Sequence, residues 1–529
     1  MRLAAIACVL LFVALAGCTQ KRKKGADSTF IWGRSGDAVR LDPALVTDGE
    51  SVQVVTNLFD TLVTFKPGST ELMPWLAERW ETSDDGLVWT FSLRKGVTFH
   101  DGSPLDAAAV VFTFLRQKDE NHPARKPEDV FAYYKTNFRA LAKIEAVDAH
   151  TVRFTLNQPY APFLSALALF SCSIVSPAAF DRAGVDFGSN PVGSGPFRFE
   201  SWQKDSQIVL LANPDHWDPP KVERLIFKPI ENAQARLKEL ESGGIHGMDN
   251  PDLVDIDSIT KDPNLQVVRK PGINVCYLAM NNLKKPFDDK RVRQAVAFAI
   301  NKKRLIESAY NGKADPAVTM CPRSMAGYHD IEDRAPDLAK AKALLKEAGY
   351  ADGFKTVLWY PVIQRTYLPD SGGTAIQVQQ DLKAIGIDAK LKKVEWSAYL
   401  AATSNGDHPM CILGWMADIF DPDNFLYVLL DKDNAVAPAE NRSFYRGEKV
   451  HQLLLQAQRT NDWAKREPLY AEIQRLLHED VPCVPLATAP DFRILSKKVE
   501  GYQLYPAGGE YFRHVSFRLG PRAERGGSE

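Results

Sequence analysis

The sequence lacks the short motifs that mark most enzymes. Its 529 residues contain no GxSxG, HExxH or P-loop motif, and no GxGxxG motif opens a helix. The ten histidines are scattered without a close i,i+3 or i,i+4 pair. Paired carboxylates occur at Asp84–Asp85 and Asp288–Asp289, but in turn or helix-cap contexts. The sequence therefore favours a protein that is not an enzyme, and we expect no metal and no cofactor.

Charge of one sign is also missing. Lys+Arg 65 against Asp+Glu 66 leaves a formal net charge of -1, so there is no electrostatic reason to expect a nucleic acid as partner. The hydrophobic fraction of 45% and the charged fraction of 25% are those of a folded globular protein. At about 150 residues per domain, the length suggests two to four domains.

Cysteine is sparse and carries no metal or redox pattern. The chain has 7 cysteines and no CxxC pair, which supports neither a zinc site nor a redox motif. Outside the first 18 residues the number is odd, so at least one thiol stays free, although a disulfide between two others remains open. We expect most of them to be small buried apolar residues, namely Cys172, Cys276, Cys321, Cys411 and Cys483.

Long apolar runs are absent except at the N-terminus. After Arg2, the uncharged run Leu3–Ala16 is too short to span a bilayer and is typical of the apolar core of a secretory signal. Small residues precede Cys18 as in the bacterial lipobox. We therefore predict a lipoprotein signal peptide over 1–18 and lipidation of Cys18, with an ordinary signal peptide as the alternative. The polar residues 19–27 predict a flexible tether, and the protein is expected in the periplasm or at the cell surface, lipid-anchored to a bacterial membrane.

Strand and helix signals are mixed along the rest of the chain. Period-two alternation predicts half-buried strands, and a continuous apolar run predicts a fully buried one. Capping residues and three- to four-residue apolar spacing predict helices. The class is therefore α/β with several sheets. The strands are predicted at Leu87–Leu93, Thr151–Leu156 and Asn274–Met280, and the helices after Asp106, from Asp288–Asp289, from Asp337 to Ala348 and from Ile376 to Ile385.

Several stretches, in order, resemble the dipeptide- and oligopeptide-binding lipoproteins of bacterial ABC importers. The resemblance extends from about residue 28 to 518. It is carried by Leu41-Asp42-Pro43, Trp75–Trp80, Phe91–Gly96, Phe99–Gly102, Asn190–Phe197, Asp288–Ala295 and Ala339–Gly349.

The resemblance implies a class II periplasmic-binding-protein-like fold, in which two lobes enclose a ligand cleft. Lobe I would comprise 28–270 plus 489–520, with an extra subdomain at about 61–184, and lobe II would comprise 271–488. Two chain crossings, near 271–275 and 486–490, would form the hinge, and 521–529 would be a C-terminal tail.

Two further stretches resemble the dipeptide-binding branch of that family. By their place in the motifs, Arg365 in Pro361–Tyr367 would take the ligand carboxylate, and Asp418 in Gly414–Phe425 would take the ligand ammonium.

The same resemblance assigns the remaining predicted site residues. Trp415 and Tyr367 would form pocket walls. Gly49, Glu50 and Ser51 would offer backbone and hydroxyl contacts from the first lobe.

Two other carboxylates compete with Asp418 for the ammonium. Asp421 and Asp423 flank Pro422, and this context favours capping of a helix that begins near Asn424.

The two proposed charges suit a zwitterion. Enclosing a dipeptide removes water from both of its charged ends, and an unpaired buried charge costs several kcal/mol. Arg365 can hold a carboxylate through two parallel hydrogen bonds, which Lys cannot. Two residues at about 3.5 Å each, with a hydrogen bond of about 2.8 Å at either end, predict an Arg365–Asp418 separation of roughly 10–13 Å in the closed state.

We therefore predict a monomeric extracytoplasmic substrate-binding protein that delivers dipeptides or short peptides to the transmembrane subunits of an ABC permease. Alternatives within the family are a longer oligopeptide, glutathione, a nickel chelate, haem or an antibiotic as ligand. Presentation of the ligand to a chemoreceptor also remains open. A secreted hydrolase is the alternative outside the family, and it would need a nucleophile–base or metal cluster in the cleft.

Overall fold

The structure is a computed structural model that describes residues 28–363, 365–505 and 509–518. The predicted signal peptide 1–18, with Cys18, the tether 19–27 and the tail 521–529 lie outside the described residues. Within the described part of the chain, no helix is both long enough and apolar enough to cross a bilayer.

The strands belong to two large sheets, one four-stranded sheet and two small pairs. In chain order they are β1 (Thr29–Arg34), β2 (Val63–Phe65), β3 (Leu72–Pro74), β4 (Ala77–Thr82), β5 (Val88–Leu93), β6 (Leu141–Asp148), β7 (Thr151–Leu156), β8 (Phe197–Gln203), β9 (Gln207–Ala212), β10 (Arg224–Pro229), β11 (Gly247–Asp249), β12 (Leu265–Lys270), β13 (Asn274–Met280), β14 (Asp315–Pro316), β15 (Phe354–Val362), β16 (Ile387–Glu395), β17 (Met410–Met416), β18 (Cys483–Thr488), β19 (Asp491–Ser496), β20 (Val499–Glu500) and β21 (Ser516–Phe517).

The helices lie against or between the sheets, and α2 packs on β6 and β7 of the four-stranded sheet. They are α1 (Gly49–Leu58), α2 (Ala107–Lys118), α3 (Ala132–Asn137), α4 (Phe163–Ala166), α5 (Pro177–Ala183), α6 (Ala233–Ser242), α7 (Ile256–Ile259), α8 (Lys290–Ala299), α9 (Lys302–Ala309), α10 (Leu338–Glu347), α11 (Ser371–Lys383), α12 (Trp396–Ser404), α13 (Asp423–Leu430), α14 (Glu448–Gln458) and α15 (Trp463–Asp480). Short 3-10 turns occur at Pro43–Leu45, Phe170–Cys172, Gly184–Ser189, Leu253–Asp255 and Lys432–Asn434.

Each large sheet is the centre of one lobe. Lobe I has a seven-stranded sheet in the order β12-β19-β11-β1-β10-β9-β8, and lobe II has a six-stranded sheet in the order β14-β18-β13-β17-β15-β16. In lobe I, β1 pairs in parallel with β10 and β11. In lobe II, β15 pairs in parallel with β16 and β17. The fold is thus a mixed α/β fold with two separate sheet cores.

The chain crosses between the lobes twice. It leaves the lobe I sheet after Lys270 and enters the lobe II sheet at Asn274, and it returns between Thr488 and Asp491. The side-chain amide of Asn274 donates from Nδ2 to the Ala489 carbonyl at 2.7 Å, and the Ala489 N–H donates to Asn274 Oδ1 at 3.0 Å. The two crossings are therefore held side by side, which is the arrangement that a hinge between lobes requires.

A four-stranded antiparallel sheet, β4-β5-β7-β6, forms a subdomain beside the lobe I sheet. Side chains of this subdomain and of lobe II share one buried hydrophobic cluster. Phe65 packs edge-on against Phe420 with ring centroids 4.7 Å apart, and the Ala161 N–H donates to the Gln458 carbonyl at 2.7 Å. The structure is therefore a closed conformation, in which lobe II contacts the subdomain of lobe I.

Local capping explains where several helices begin. Asp106 accepts a hydrogen bond from the Ala109 N–H, and Asp337 accepts one from the Lys340 N–H, so both cap helices as the sequence predicts. The predicted strands at Thr151–Leu156 and Asn274–Met280 are confirmed as β7 and β13.

The start of α11 differs from the prediction. This helix begins at Ser371 rather than at Ile376, because Asp370 caps it by accepting from the Gly373 N–H at 2.8 Å. The first turn contains Gly372 and Gly373, whose low helix propensity hides the start in the sequence.

The five cysteines of the described residues are free and buried, as expected for small apolar residues. Burial raises the pKa of Cys276 and Cys411 to about 12, so these thiols stay protonated and inert.

Candidate functional site

A cavity of about 460 Å³ lies between the lobes at the two crossings. Lobe I contributes Ser35 and Glu50, lobe II contributes Tyr310 and Arg365, and the return crossing contributes Ala489–Pro490. The volume falls within the range of about 300–1,000 Å³ that is usual for small-molecule sites. Its position between two lobes makes it the candidate ligand site.

Arg365 lies in a tight turn that follows β15. Its N–H donates to the Leu368 carbonyl at 3.1 Å, and the Leu368 N–H donates back to the Arg365 carbonyl at 2.9 Å. The side chain is exposed and lines the cavity. Among the described residues, none forms a hydrogen bond or ion pair with the guanidinium, whose donors are therefore available to a carboxylate.

Tyr367 fixes this turn on the lobe II sheet. A Cβ built on Gly414 would lie 2.1 Å from the Tyr367 ring, so only glycine in β17 lets the ring pack there. The Tyr310 hydroxyl donates to the Tyr367 carbonyl at 2.7 Å. Burial raises the pKa of Tyr367 to about 12, and the nearby Arg365 charge opposes that rise. The Arg365 turn and β17 are thus adjacent.

Asn424, in the first turn of α13, holds the segment that carries Asp418. Its Oδ1 accepts hydrogen bonds from Trp415 Nε1 and from the Asp418 N–H, each at 3.0 Å. Trp415 is half-buried at the end of β17. The amide of Asn424 therefore fixes both the Trp415 ring and the backbone from which the Asp418 side chain projects.

The Asp418 side chain is half-buried where the two lobes meet. Burial raises its pKa from an ordinary value near 3.8 to about 7, the negative charge of Glu440 adds to the rise, and a hydrogen bond from the Tyr133 hydroxyl opposes it. Tyr133 belongs to α3 in the subdomain of lobe I, and its ring packs edge-on against Phe170. Within the described chain no cation contributes to the pKa of Asp418, so this half-buried carboxylate has no positive partner there.

The start of α1 brings the lobe I residues to the same region. Asp48 caps the helix by accepting from the Ser51 N–H, and its charge raises the pKa of Tyr133. Glu50 lines the cavity, and a Cβ added to Gly49 would meet no atom within 4 Å. The beginning of α1 thus lies near the Tyr133 hydroxyl and leaves its backbone open on one side.

Ser51 has a different environment. Its side chain is fully buried, and its hydroxyl accepts hydrogen bonds from the Val39 N–H at 2.9 Å and the Arg40 N–H at 3.3 Å. These bonds direct the hydroxyl toward the loop before α1 and away from the cavity.

The two competing carboxylates have partners inside lobe II. Asp421 forms a buried ion pair with Arg466 at 2.9 Å and accepts a hydrogen bond from the Asp423 N–H. Asp423 accepts from the Gln458 amide at 2.8 Å, and burial raises its pKa to about 8. Neither lines the cavity, and Asp418 does not line it either, but Asp418 is the carboxylate of this segment that interacts with Tyr133 of lobe I.

One group of described side chains could hold a metal ion. The ligand atoms of Asp431, Asp433 and His451 lie within 4.8 Å of one another. However, His451 Nδ1 lies 3.0 Å from Asp431 Oδ2, and Asp431 Oδ1 accepts from the Asp433 N–H. These hydrogen bonds explain why the three side chains lie close together without a metal ion. None of the three residues lines the cavity.

Of the predicted site residues, Arg365 and Glu50 line the cavity. Tyr367, Trp415 and Asp418 lie on neighbouring segments of lobe II outside its lining, and Gly49 and Ser51 of lobe I also lie outside it. Sequence reasoning missed Tyr133, because its partner Asp418 is far away in the chain. It also missed the role of Asn424, although a polar side chain in the first turn of the helix after Pro422 could have suggested that Asn424 holds the segment carrying Asp418.

Comparison with known proteins identifies relatives over nearly the whole chain. Residues 71–436 match the family described as bacterial extracellular solute-binding proteins, family 5. The chain is 36% identical over 505 residues to a dipeptide-binding protein of Escherichia coli, a match covering 92% of this chain and 94% of the relative. It is 35% identical over 511 residues to heme-binding protein A of Haemophilus influenzae, covering 93% of each.

A solved structure shows the same architecture. This is an ABC transporter-associated periplasmic binding protein of Helicobacter pylori in complex with the peptide STSA, which is 38% identical and superimposes with a TM-score of 0.78 over 92% of this chain and 98% of that chain.

Proposed function

Because the chain belongs to family 5 of the bacterial extracellular solute-binding proteins, we propose that it captures dipeptides outside the cytoplasm and delivers them to an ABC permease. The protein acts as a receptor and performs no covalent chemistry. In support, the described residues that line the cavity include no histidine and no cysteine. The dipeptide is the favoured ligand because lobe II offers a cation in the cavity, Arg365, and a carboxylate on a neighbouring segment outside the lining, Asp418.

One observation carries the choice of ligand. The Asp418 carboxylate is half-buried at the contact between the lobes, the loss of water there raises its pKa, and no cation of the described chain offsets it. A buried charge of this kind is strongly unfavourable unless a positive group pairs with it. The ammonium of a dipeptide supplies that positive group, while the Tyr133 hydroxyl donates a hydrogen bond to the same carboxylate.

The opposite end of the ligand is assigned to Arg365. Its guanidinium lines the cavity and has no partner among the described residues, so two parallel hydrogen bonds to the ligand carboxylate are available. Tyr367 and Trp415 would form walls beside the ligand. The open backbone at Gly49 and the adjacent Glu50 would close the site from lobe I.

Binding would be coupled to closure of the lobes. The lobes are assigned as 28–270 plus 489–520, with the subdomain at about 61–184, and 271–488. The crossings near 271–275 and 486–490 serve as the hinge. Because the proposed ligand contacts come from both lobes, the ligand favours the closed form, which the permease then recognises.

The same proposal places the protein at a membrane surface. Cys18 would carry the lipid, residues 19–27 would form the tether, and the mature protein would act as a monomer in the periplasm or at the cell surface. Mass spectrometry of the N-terminal peptide tests the lipid, and light scattering tests the oligomeric state.

The primary test is to purify the protein, denature it and identify the released small molecules by mass spectrometry. Dipeptides are the expected result. Calorimetric titration should then show binding of Ala-Ala, and much weaker binding of its N-acetyl and C-terminal amide forms, each of which removes one charge. Equal binding of all three compounds would contradict the assignment of the two charges.

A longer peptide is the second candidate ligand, because the cavity of about 460 Å³ continues beyond Arg365 toward Glu231 and Asp252. Release of peptides of three or more residues, with no dipeptide, would favour this candidate. An Arg365–Asp418 separation in the complex well above the predicted roughly 10–13 Å would do the same.

A further inference from the structure

The cavity has an acidic side formed by lobe I. Glu50, Asp252 and Glu231 line it, and all three belong to lobe I. Glu50 Oε1 accepts only a long hydrogen bond of 3.3 Å from the Ser35 hydroxyl, and Asp252 accepts one of 3.1 Å from the Gln234 amide. Within the described residues, none of the three carboxylates forms an ion pair, so their charges remain available to a ligand.

Two cations of the lining already have partners. Lys313 forms an ion pair with Asp257 at 2.6 Å. Arg236 is buried, and its guanidinium donates to the carbonyls of Glu231 at 2.9 Å and Asn250 at 2.7 Å. Neither Lys313 nor Arg236 therefore forms an ion pair with an acidic side chain of the cavity among the described residues, although the charge of Asp252 acts on Arg236.

The fourth acid of the lining is also paired. Asp491 accepts a hydrogen bond from Arg493 at 2.7 Å, which neutralises it. Among the described residues that line the cavity, Arg365 is thus the cationic side chain without a hydrogen-bond or ion-pair partner. When a ligand carboxylate occupies Arg365, three acidic side chains face the remaining cavity without an ion-pair partner among the described residues, although the buried Arg34 and Arg236 lie within electrostatic reach of Glu50 and Asp252.

From this arrangement, we propose that the cavity selects dipeptides whose C-terminal residue carries a cationic side chain, lysine or arginine. This inference rests on the proposed function, since Arg365 holds the carboxylate of the C-terminal residue. That residue is therefore the one whose side chain lies next to the cavity. A flexible four-carbon stem can carry an ammonium from there toward Glu50 and Asp252.

Matched peptides test the proposal on the whole protein. Ala-Lys and Lys-Ala have the same composition and differ only in which residue carries the cation, while Ala-Met has a neutral side chain of similar length. We expect Ala-Lys to bind about five- to tenfold more tightly than Ala-Met, since partly exposed ion pairs are of modest strength. Lys-Ala should show no such gain, and Ala-Glu should bind most weakly. The advantage of Ala-Lys should shrink in 0.5 M NaCl, at which a Debye length of about 4–5 Å screens exposed charges.

Two substitutions test the residues. Glu50→Gln and Asp252→Asn remove charge while keeping shape, and each should lower the ratio of Ala-Lys to Ala-Met affinity about two- to threefold, with a ratio near one in the double variant. Glu81→Gln, an exposed acid on β4 of the subdomain, is the matched control and should leave the ratio unchanged.

The possible results separate this inference from the proposed function. If Ala-Ala and Ala-Met bind but Ala-Lys has no advantage, or if the double variant keeps the advantage, the selectivity inference is overturned and the dipeptide receptor stands. If none of these dipeptides binds, the proposed function itself fails.

Discussion

Replacing Asp418 by asparagine should allow the empty protein to close. In the closed structure, burial raises the pKa of Asp418 from near 3.8 to about 7. In an open conformation this carboxyl contacts water and regains its ordinary pKa. A difference of about three pKa units corresponds to about 4 kcal/mol at neutral pH, by which the ionised carboxylate disfavours closure without ligand.

The asparagine variant removes this penalty while keeping an oxygen that accepts from Tyr133. The ratio of closed to open molecules without ligand should therefore rise by up to three orders of magnitude, about a factor of ten for each 1.4 kcal/mol. Glu81→Gln, which removes the charge of an exposed acid that forms no ion pair among the described residues, is the control for a general effect of lost charge.

Amide hydrogen exchange can report closure at a single bond. The Ala161 N–H of the subdomain donates to the Gln458 carbonyl of lobe II at 2.7 Å, a bond that exists only when the lobes meet. In ligand-free protein, exchange at Ala161 should be slower in Asp418→Asn than in the wild type, and small-angle X-ray scattering should give a smaller radius of gyration. Equal exchange and equal radius in both proteins would refute the conclusion that the buried carboxylate opposes empty closure.

Three further predictions follow from the same site. Acidification should have the same effect as Asp418→Asn, because the pKa of Asp418 is raised in the closed form and protonation below pH about 7 removes the charge that disfavours closure. Hydrogen exchange at the Ala161 N–H, corrected for its intrinsic pH dependence, should therefore slow from pH 7.5 to pH 5 in the wild type but not in the variant. Arg365→Ala should weaken dipeptide binding about 100-fold and Arg365→Lys about tenfold by calorimetry, since lysine cannot form the two-pronged contact; unchanged affinity would remove Arg365 from the site. Tyr133→Phe should weaken dipeptide binding about tenfold, because it removes a hydrogen bond to a charged group. The control is Tyr134→Phe, which changes the neighbouring tyrosine that stacks on Phe138 and should bind within about twofold of the wild type. Equal losses of affinity in both variants would contradict a specific role for Tyr133.

Much of the local structure could be predicted from the sequence, because its causes are local. The continuous apolar run Asn274–Met280 is a fully buried strand, and Asp106 and Asp337 cap helices through N–H groups three residues away. Where the local signal is weak, the prediction was wrong: two glycines in its first turn conceal the start of α11 at Ser371.

The ordered motifs also predicted the family and the α/β architecture, since both depend on residues in sequence order. The assignments of Arg365 and Asp418 come from such motifs and remain proposals until ligand binding is measured. The structure adds the environment of each: Arg365 lines a cavity, and the half-buried Asp418 interacts with Tyr133 of the opposite lobe.

The sequence by itself determined many of the helices and strands, their order, and the charged residue types that could bind a zwitterionic ligand. It could do so because periodicity, capping and motif order are properties of neighbouring residues. Only the tertiary structure decided which charges remain unpaired. Asp418 interacts with Tyr133, and Glu50 and Asp252 line the same cavity, although the residues of each pair lie far apart in the chain. The burial that raises the pKa of Asp418 is likewise produced by the two lobes together, so no single segment of the sequence could reveal it.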